Sequence, residues 1–209
     1  MKYMVFDDMK QCTEEDVRRM LPLVGPKRQE QALRYKHVFG QWACLKVCEL
    51  LRELLLQEPS LHDGGQNGTG WQGGALPDFE YNEYGKPSLP GMPDFSFSHC
   101  RKAVAVAVSE DCEGRVGIDI EEIRGSNTTL AERVMNEEEQ RLIAASERPE
   151  EMFTRLWTRK EAVLKWRGTG IICDLKDVLA PSAGEQPARL TTKVADGYAV
   201  TVAADQGPS

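Results

Sequence analysis

Apolar positions follow two periods along the chain, and each period predicts its own kind of element. Tyr3 to Phe6 reads as a short strand, and Thr13 opens the segment TEEDVRRML with acids in its first turn, the pattern of a capped helix. Pro22 and the Gly25-Pro26 pair break that helix. From Lys27 to about Gln57 one long helix is predicted, with Leu33, Trp42, Leu45, Leu50 and Leu54 at helical spacing and Pro59 as its stop. Lys102 to Ser109 alternates through Val104, Val106 and Val108, the mark of a strand. In Arg115 to Glu121, Val116, Ile118 and Ile120 share one face, while Gly117, Asp119 and Glu121 share the other. A turn over EDCEG would join these two strands as an antiparallel hairpin. Thr129 to Ala145 and Pro149 to Trp166 follow as helices, the second ending at Gly168. Arg189 to Val194 and Tyr198 to Val202, around Asp196-Gly197, form a terminal hairpin, and the final DQGPS should fray. Strands segregated from helices predict an α+β fold.

The linkers add little chemistry. Residues 63–74 hold six glycines in twelve positions and read as a flexible loop; no GK[ST] follows, so it is not a phosphate loop. A second loop, NEYGKPSLPGMPD, has prolines and glycines that force turns. The 209 residues make one ordinary domain or two small ones. No apolar run is long enough for a membrane span, and Asp7 and Asp8 cut short any signal-peptide core, so a cytoplasmic protein with no membrane partner is expected. The six cysteines lack a CxxC pair and the three histidines lack zinc spacing, so buried thiols are expected rather than disulfides or zinc. A net charge of −7 argues against nucleic acid but still allows a small anionic ligand held by a few local cations.

Three segments carry candidate chemistry. Asp119 and Glu121 sit at i and i+2 of a strand, so their carboxylates project from one face about 7 Å apart and suit a shared hard cation. Two bare carboxylates there would repel each other; the plain alternative is a pair of solvent-facing acids. In WTRKEAVLKW, Trp157, Glu161 and Lys165 recur every four residues along one helix face. Glu161 and Lys165 read either as a surface ion pair or as a third metal carboxylate beside a phosphate-directed lysine, with Arg159 and Lys160 pointing away to solvent or phosphate. In FSFSHC, Ser98 and His99 can both donate to an anion, but adjacent strand residues point to opposite faces and make a poor nucleophile–base pair.

Taken in order, FSFSHC, GIDIEEI and FTRLWTRKEAVLKWRGTGI resemble the signature segments of the 4′-phosphopantetheinyl transferases, and among these the larger surfactin-synthetase-activating type rather than the small trimeric carrier-protein synthases. GKP at Gly85 to Pro87 and NEEE at Asn136 to Glu139 fit the same pattern, and the resemblance runs from about Tyr84 to Ile171. It implies two similar α/β subdomains with pseudo-twofold symmetry, residues 1–111 and 112–209, with the boundary near Glu110 to Glu113 and the coenzyme A site in the cleft between them. It implies transfer of the phosphopantetheine arm of coenzyme A to a serine of an apo acyl or peptidyl carrier protein, by a monomer, leaving adenosine 3′,5′-bisphosphate. Asp119, Glu121 and Glu161 would hold Mg²⁺, Glu161 would also take the serine proton, and Lys165 would pair with a phosphate. Ser98 and His99 would contact coenzyme A phosphates, Lys86 would approach the nucleotide end, and Lys27, Arg28 and Arg34 would grip the 3′-phosphate.

This chain departs from the family pattern at Ser96, where asparagine is frequent, at Cys100, where serine is, and near Gln41, where an arginine is expected. Phosphoryl transfer needs charge neutralisation and in-line positioning, which three carboxylates, a cation and a few lysines provide. The competing readings are a non-catalytic binding module of the same fold and a Mg²⁺-dependent phosphohydrolase.

Overall fold

The computed structural model describes residues 1–57, 71–110, 114–125, 128–171, 173–180 and 188–206. The Pro59 stop, most of the glycine-rich stretch, the turn and boundary at 111–113, Cys112 and the last three residues lie outside them.

Strands β1 (Lys2–Phe6), β4 (Phe95–His99) and β5 (Val104–Val108) form one antiparallel sheet in the order β1-β5-β4. Against it lie α1 (Glu14–Met20), α2 (Pro26–Leu33) and α3 (Val38–Leu56). The Thr13 hydroxyl accepts from the Asp16 amide at 3.1 Å, the cap that its sequence predicts. The single helix expected over Lys27 to Gln57 is in fact two, α2 and α3. The chain turns between them through the polar run Arg34–His37. The Tyr35 ring covers Gly40 so closely that a Cβ there would lie 2.7 Å from Cδ1, and Gln41 Nε2 donates to the Tyr35 carbonyl at 2.9 Å. Packing of that corner overrides helix propensity.

A hairpin too short for the pattern to signal, β2 (Glu80–Tyr81) with β3 (Pro87–Ser88), interrupts the loop expected there. Asn82 organises it. Its Oδ1 accepts from the amides of Tyr84 and Lys86, while its Nδ2 donates to the Gly168 carbonyl at 2.8 Å.

The second sheet contains β6 (Val116–Glu122), β7 (Arg189–Ala195) and β8 (Tyr198–Ala204) in the order β6-β8-β7. The terminal hairpin is as predicted, turning through Asp196 and Gly197, both at positive φ. The predicted β5–β6 hairpin is not formed. β5 is flanked on both sides by β1 and β4, and β6 spends its ladder on β8. The expected helix over 129–145 is also divided, into α4 (Thr128–Val134) and α5 (Glu137–Ala145), because Asn136 and Glu139 close a capping box. Helix α6 (Pro149–Arg167) packs on β6 and β8 and ends at left-handed Gly168.

The alternation in β5 feeds two cores. Val104, Val106 and Val108 join Trp42, Leu45 and Leu51 of α3, while Ala103, Ala105 and Ala107 meet Val116, Ile118, Ile120, Val200 and Val202 of the second sheet. The layers therefore run helix, sheet, sheet, helix, in a mixed helix–sheet fold. Cys44, Cys48 and Cys100 are buried as expected, and burial pushes the Cys48 thiol up to about 11. Cys173 departs from that expectation and is exposed, in the irregular segment after α6.

Candidate active site

Asp119 is the centre of the site. Its strand face turns toward α6, where Gly117 lets the helix come close: a Cβ on Gly117 would lie 2.0 Å from the Ala162 carbonyl oxygen. The acids are therefore not the solvent-facing pair of the plain alternative, since Asp119 is only 3% exposed. Its Oδ1 accepts from Ser98 Oγ at 2.8 Å and from Lys165 Nζ at 2.7 Å. Three segments distant in sequence, from β4, β6 and α6, thus meet on one oxygen. Lys165 here engages Asp119 rather than forming a surface pair with Glu161.

Asp119 Oδ2 is buried and has no hydrogen-bond partner. Glu121 and Glu161 flank it. Burial first, and then the charge of Asp119, raise both carboxyls above the ordinary glutamate value, against the pull of Lys165. The Trp157 side chain hydrogen-bonds Glu121 and pulls it partly back down. Among the described residues no three His, Cys, Asp or Glu side chains converge into a ready-made metal cage. The donor set nevertheless fits a hard divalent cation: it is all oxygen, it carries surplus negative charge, and it holds one orphaned buried carboxylate oxygen.

Beside these groups opens a cavity lined by Tyr84 to Pro87, Phe95 to Phe97, Glu161, Leu164, Lys165 and Ile171. Its two lysines come from different elements, Lys86 from the turn between β2 and β3 and Lys165 from α6. Lys86 is aimed by Asn82, which ties its turn to the end of α6, and it donates to Asp94 at 2.5 Å and to the Val116 carbonyl at 3.2 Å. The ring of His99 stands edge-on to Phe39, with centroids 6.0 Å apart. Although the residue is exposed overall, partial burial of the ring, then the charges of Lys165 and Arg28, hold its pKa below the ordinary histidine value.

Lys27, Arg28 and Arg34 gather around a second cavity with Glu30, Asp78, Phe79 and Tyr81. Arg28 is 7% exposed, donates to the Cys44 carbonyl at 2.9 Å and stands 5.3 and 5.4 Å from the Phe79 and Phe97 rings. Arg34 is exposed and paired with Glu30 at 2.6 Å. Lys160 corrects its expectation: it is fully buried, paired with Glu139 at 2.8 Å and donating to the Leu175 carbonyl. It locks α5 to α6 and reaches neither solvent nor the cavity. The sequence marks Ser96 only as a departure from the family pattern and gives Asp94 no role, although DFSFS places polar residues on the strand face opposite Phe95 and Phe97.

The model of the 4′-phosphopantetheinyl transferase superfamily matches residues 115–203, the stretch that holds Asp119, Glu121, Glu161 and Lys165. The 4′-phosphopantetheinyl transferase AcpT of Salmonella typhimurium is 36% identical over 150 residues, covering 64% of this chain and 74% of that protein. The 4′-phosphopantetheinyl transferase Sfp of Bacillus subtilis is 26% identical over 163 residues, covering 76% of this chain and 66% of its own length. Among solved structures, the holo-[acyl-carrier-protein] synthase of Thermotoga maritima aligns with 27% identity and a TM-score of 0.36 over 43% of this chain and 61% of that one. With more than a third of positions shared over most of a characterised relative, the chain belongs to the 4′-phosphopantetheinyl transferase superfamily.

Proposed function

We propose that this protein transfers the 4′-phosphopantetheine of coenzyme A to a serine of an apo carrier protein, releasing adenosine 3′,5′-bisphosphate. The observation that carries the reading is the convergence of Ser98, Asp119 and Lys165, with one carboxylate oxygen left unpartnered, at the edge of a cavity that Lys86 also enters.

Asp119, Glu121 and Glu161 are the residues that would hold Mg²⁺. When bound, the ion supplies positive charge to the pyrophosphate oxygens. Lys165 orients and neutralises the diphosphate, Ser98 and His99 contact its phosphates, and Lys86 approaches the nucleotide end. Lys27, Arg28 and Arg34 form the place for the 3′-phosphate, supported by their shared cavity. Glu161 takes the proton of the carrier serine as that oxygen attacks the pantetheine-side phosphorus; the phosphoanhydride bond to the nucleotide breaks.

Residues 1–111 and 112–209 form two subdomains related by a pseudo-twofold axis. What supports this is that each contains a three-stranded antiparallel sheet backed by a 19-residue helix, α3 or α6. The protein acts as a cytoplasmic monomer on an acidic carrier, which docks through a local basic or apolar patch despite the net −7 and dissociates more readily in salt. No described helix is long and apolar enough to cross a membrane.

The test is intact-mass spectrometry of apo carrier proteins incubated with the protein, coenzyme A and Mg²⁺. A gain of one phosphopantetheine unit, lost on chelation, is the expected result. Release of phosphate from nucleotides with no change in any carrier would replace the transferase reading with a phosphohydrolase.

A further inference from the structure

The outer edge of β6 is held by side chains rather than by a strand. β8 occupies one edge of β6 in a regular ladder. On the other edge, Asp94 Oδ2 accepts from the Val116 amide at 2.8 Å and Ser96 Oγ accepts from the Ile118 amide at 3.1 Å. Two residues further along β4, Ser98 donates to the Asp119 side chain. Asp94, Ser96 and Ser98 are spaced i, i+2, i+4, so one face of β4 forms a row of hydroxyl and carboxylate groups matched to β6. The hydrogen bond to Ile118 is buried, with Ser96 5% and Ile118 0% exposed, so losing the hydroxyl leaves a buried amide without its partner.

We infer that Ser96 is a positioning residue of the transfer site: by holding the Ile118 amide it fixes β6 in register with β4 and so sets the Asp119 carboxylate against Ser98 and Lys165. The adjacent residue on β6 carries the carboxylate, and a displacement of about 1 Å at a reacting centre is enough to lower rates up to a hundredfold. Asp94 acts on the same seam further from the chemistry, bridging Val116 and Lys86.

This inference rests on the transferase reading, so its test needs one readout that does not. Thr and Val have the same shape, and only Thr keeps the oxygen that accepts from Ile118. Ser96→Val is expected to lower kcat about tenfold with the KM for coenzyme A changed less than about twofold, while Ser96→Thr keeps most of the activity. Independently of activity, the Ile118 amide should exchange with solvent faster in Ser96→Val than in Ser96→Thr, with amides in α3 unchanged. Equal kcat in the two variants, or a loss in Ser96→Val that follows a general fall in thermal stability, would overturn the positioning role. A wild-type protein that modifies no carrier would instead remove the transferase reading and leave the exchange experiment to decide the seam.

Discussion

Helices α3 and α6 are each 19 residues long and each back a three-stranded sheet, yet they meet those sheets in opposite ways. Where α3 crosses β5 the interface is dry, with Trp42, Leu45 and Leu51 against the valines. Where α6 crosses β6 it carries Gly117, Asp119 and Glu121 opposite Ala162, Glu161 and Lys165. One interface is built for burial. The other gives up apolar contact to keep charged groups within reach of each other, which is how a binding site differs from a core in a single fold.

That contrast can be broken most severely at Gly117. Gly117→Ala places a methyl group against the backbone of α6, so both carrier modification and thermal stability should fall, with transfer down at least about a hundredfold. Trp42→Ala acts on the dry interface alone. It should cost about 3–5 kcal/mol in denaturant unfolding while the molecules that remain folded keep their kcat. Glu161→Gln acts on the charged interface alone. Intact-mass assays should show transfer reduced about 10²–10⁴-fold with no loss of melting temperature, since a like charge beside Asp119 is removed. Near-normal turnover of that variant would sink the role assigned to Glu161.

A gentler probe is pH. In metal-free protein, carbon-13 titration should find Glu121 and Glu161 protonating above the ordinary glutamate value. Because their folded pKa lies above the unfolded one, the folded state binds those protons more tightly. Their contribution to the stability of the metal-free protein therefore grows as pH falls through the folded pKa. The smallest effect is at the periphery of the dry half: Thr13→Ala removes the α1 cap and should cost about 1 kcal/mol without touching transfer.

Local grammar was largely legible in the chain. The Thr13 cap, the Gly168 stop and the Asp196-Gly197 turn each depend on a few adjacent residues, and each is where the sequence puts it. The two-faced pattern of β6 also separated Ile118 and Ile120 from Asp119 and Glu121 correctly. What escaped depends on partners far away in sequence. Periodicity shows that β5 and β6 are strands but not that β1 and β8 are their neighbours, so the hairpin it predicts between them does not form. Lys160 looks like any helix lysine until Glu139 is folded beneath it. Ser96 is polar in a strand that faces a second sheet edge, and only the assembled structure reveals that its oxygen replaces a backbone carbonyl.

The valine–alanine alternation of β5 makes one strand the wall of two rooms. Its valines close the α3 core and its alanines close the space between the sheets. Neither half can open without stripping a face from the other, so unfolding should be a single transition in which the cleft and both cores are lost together.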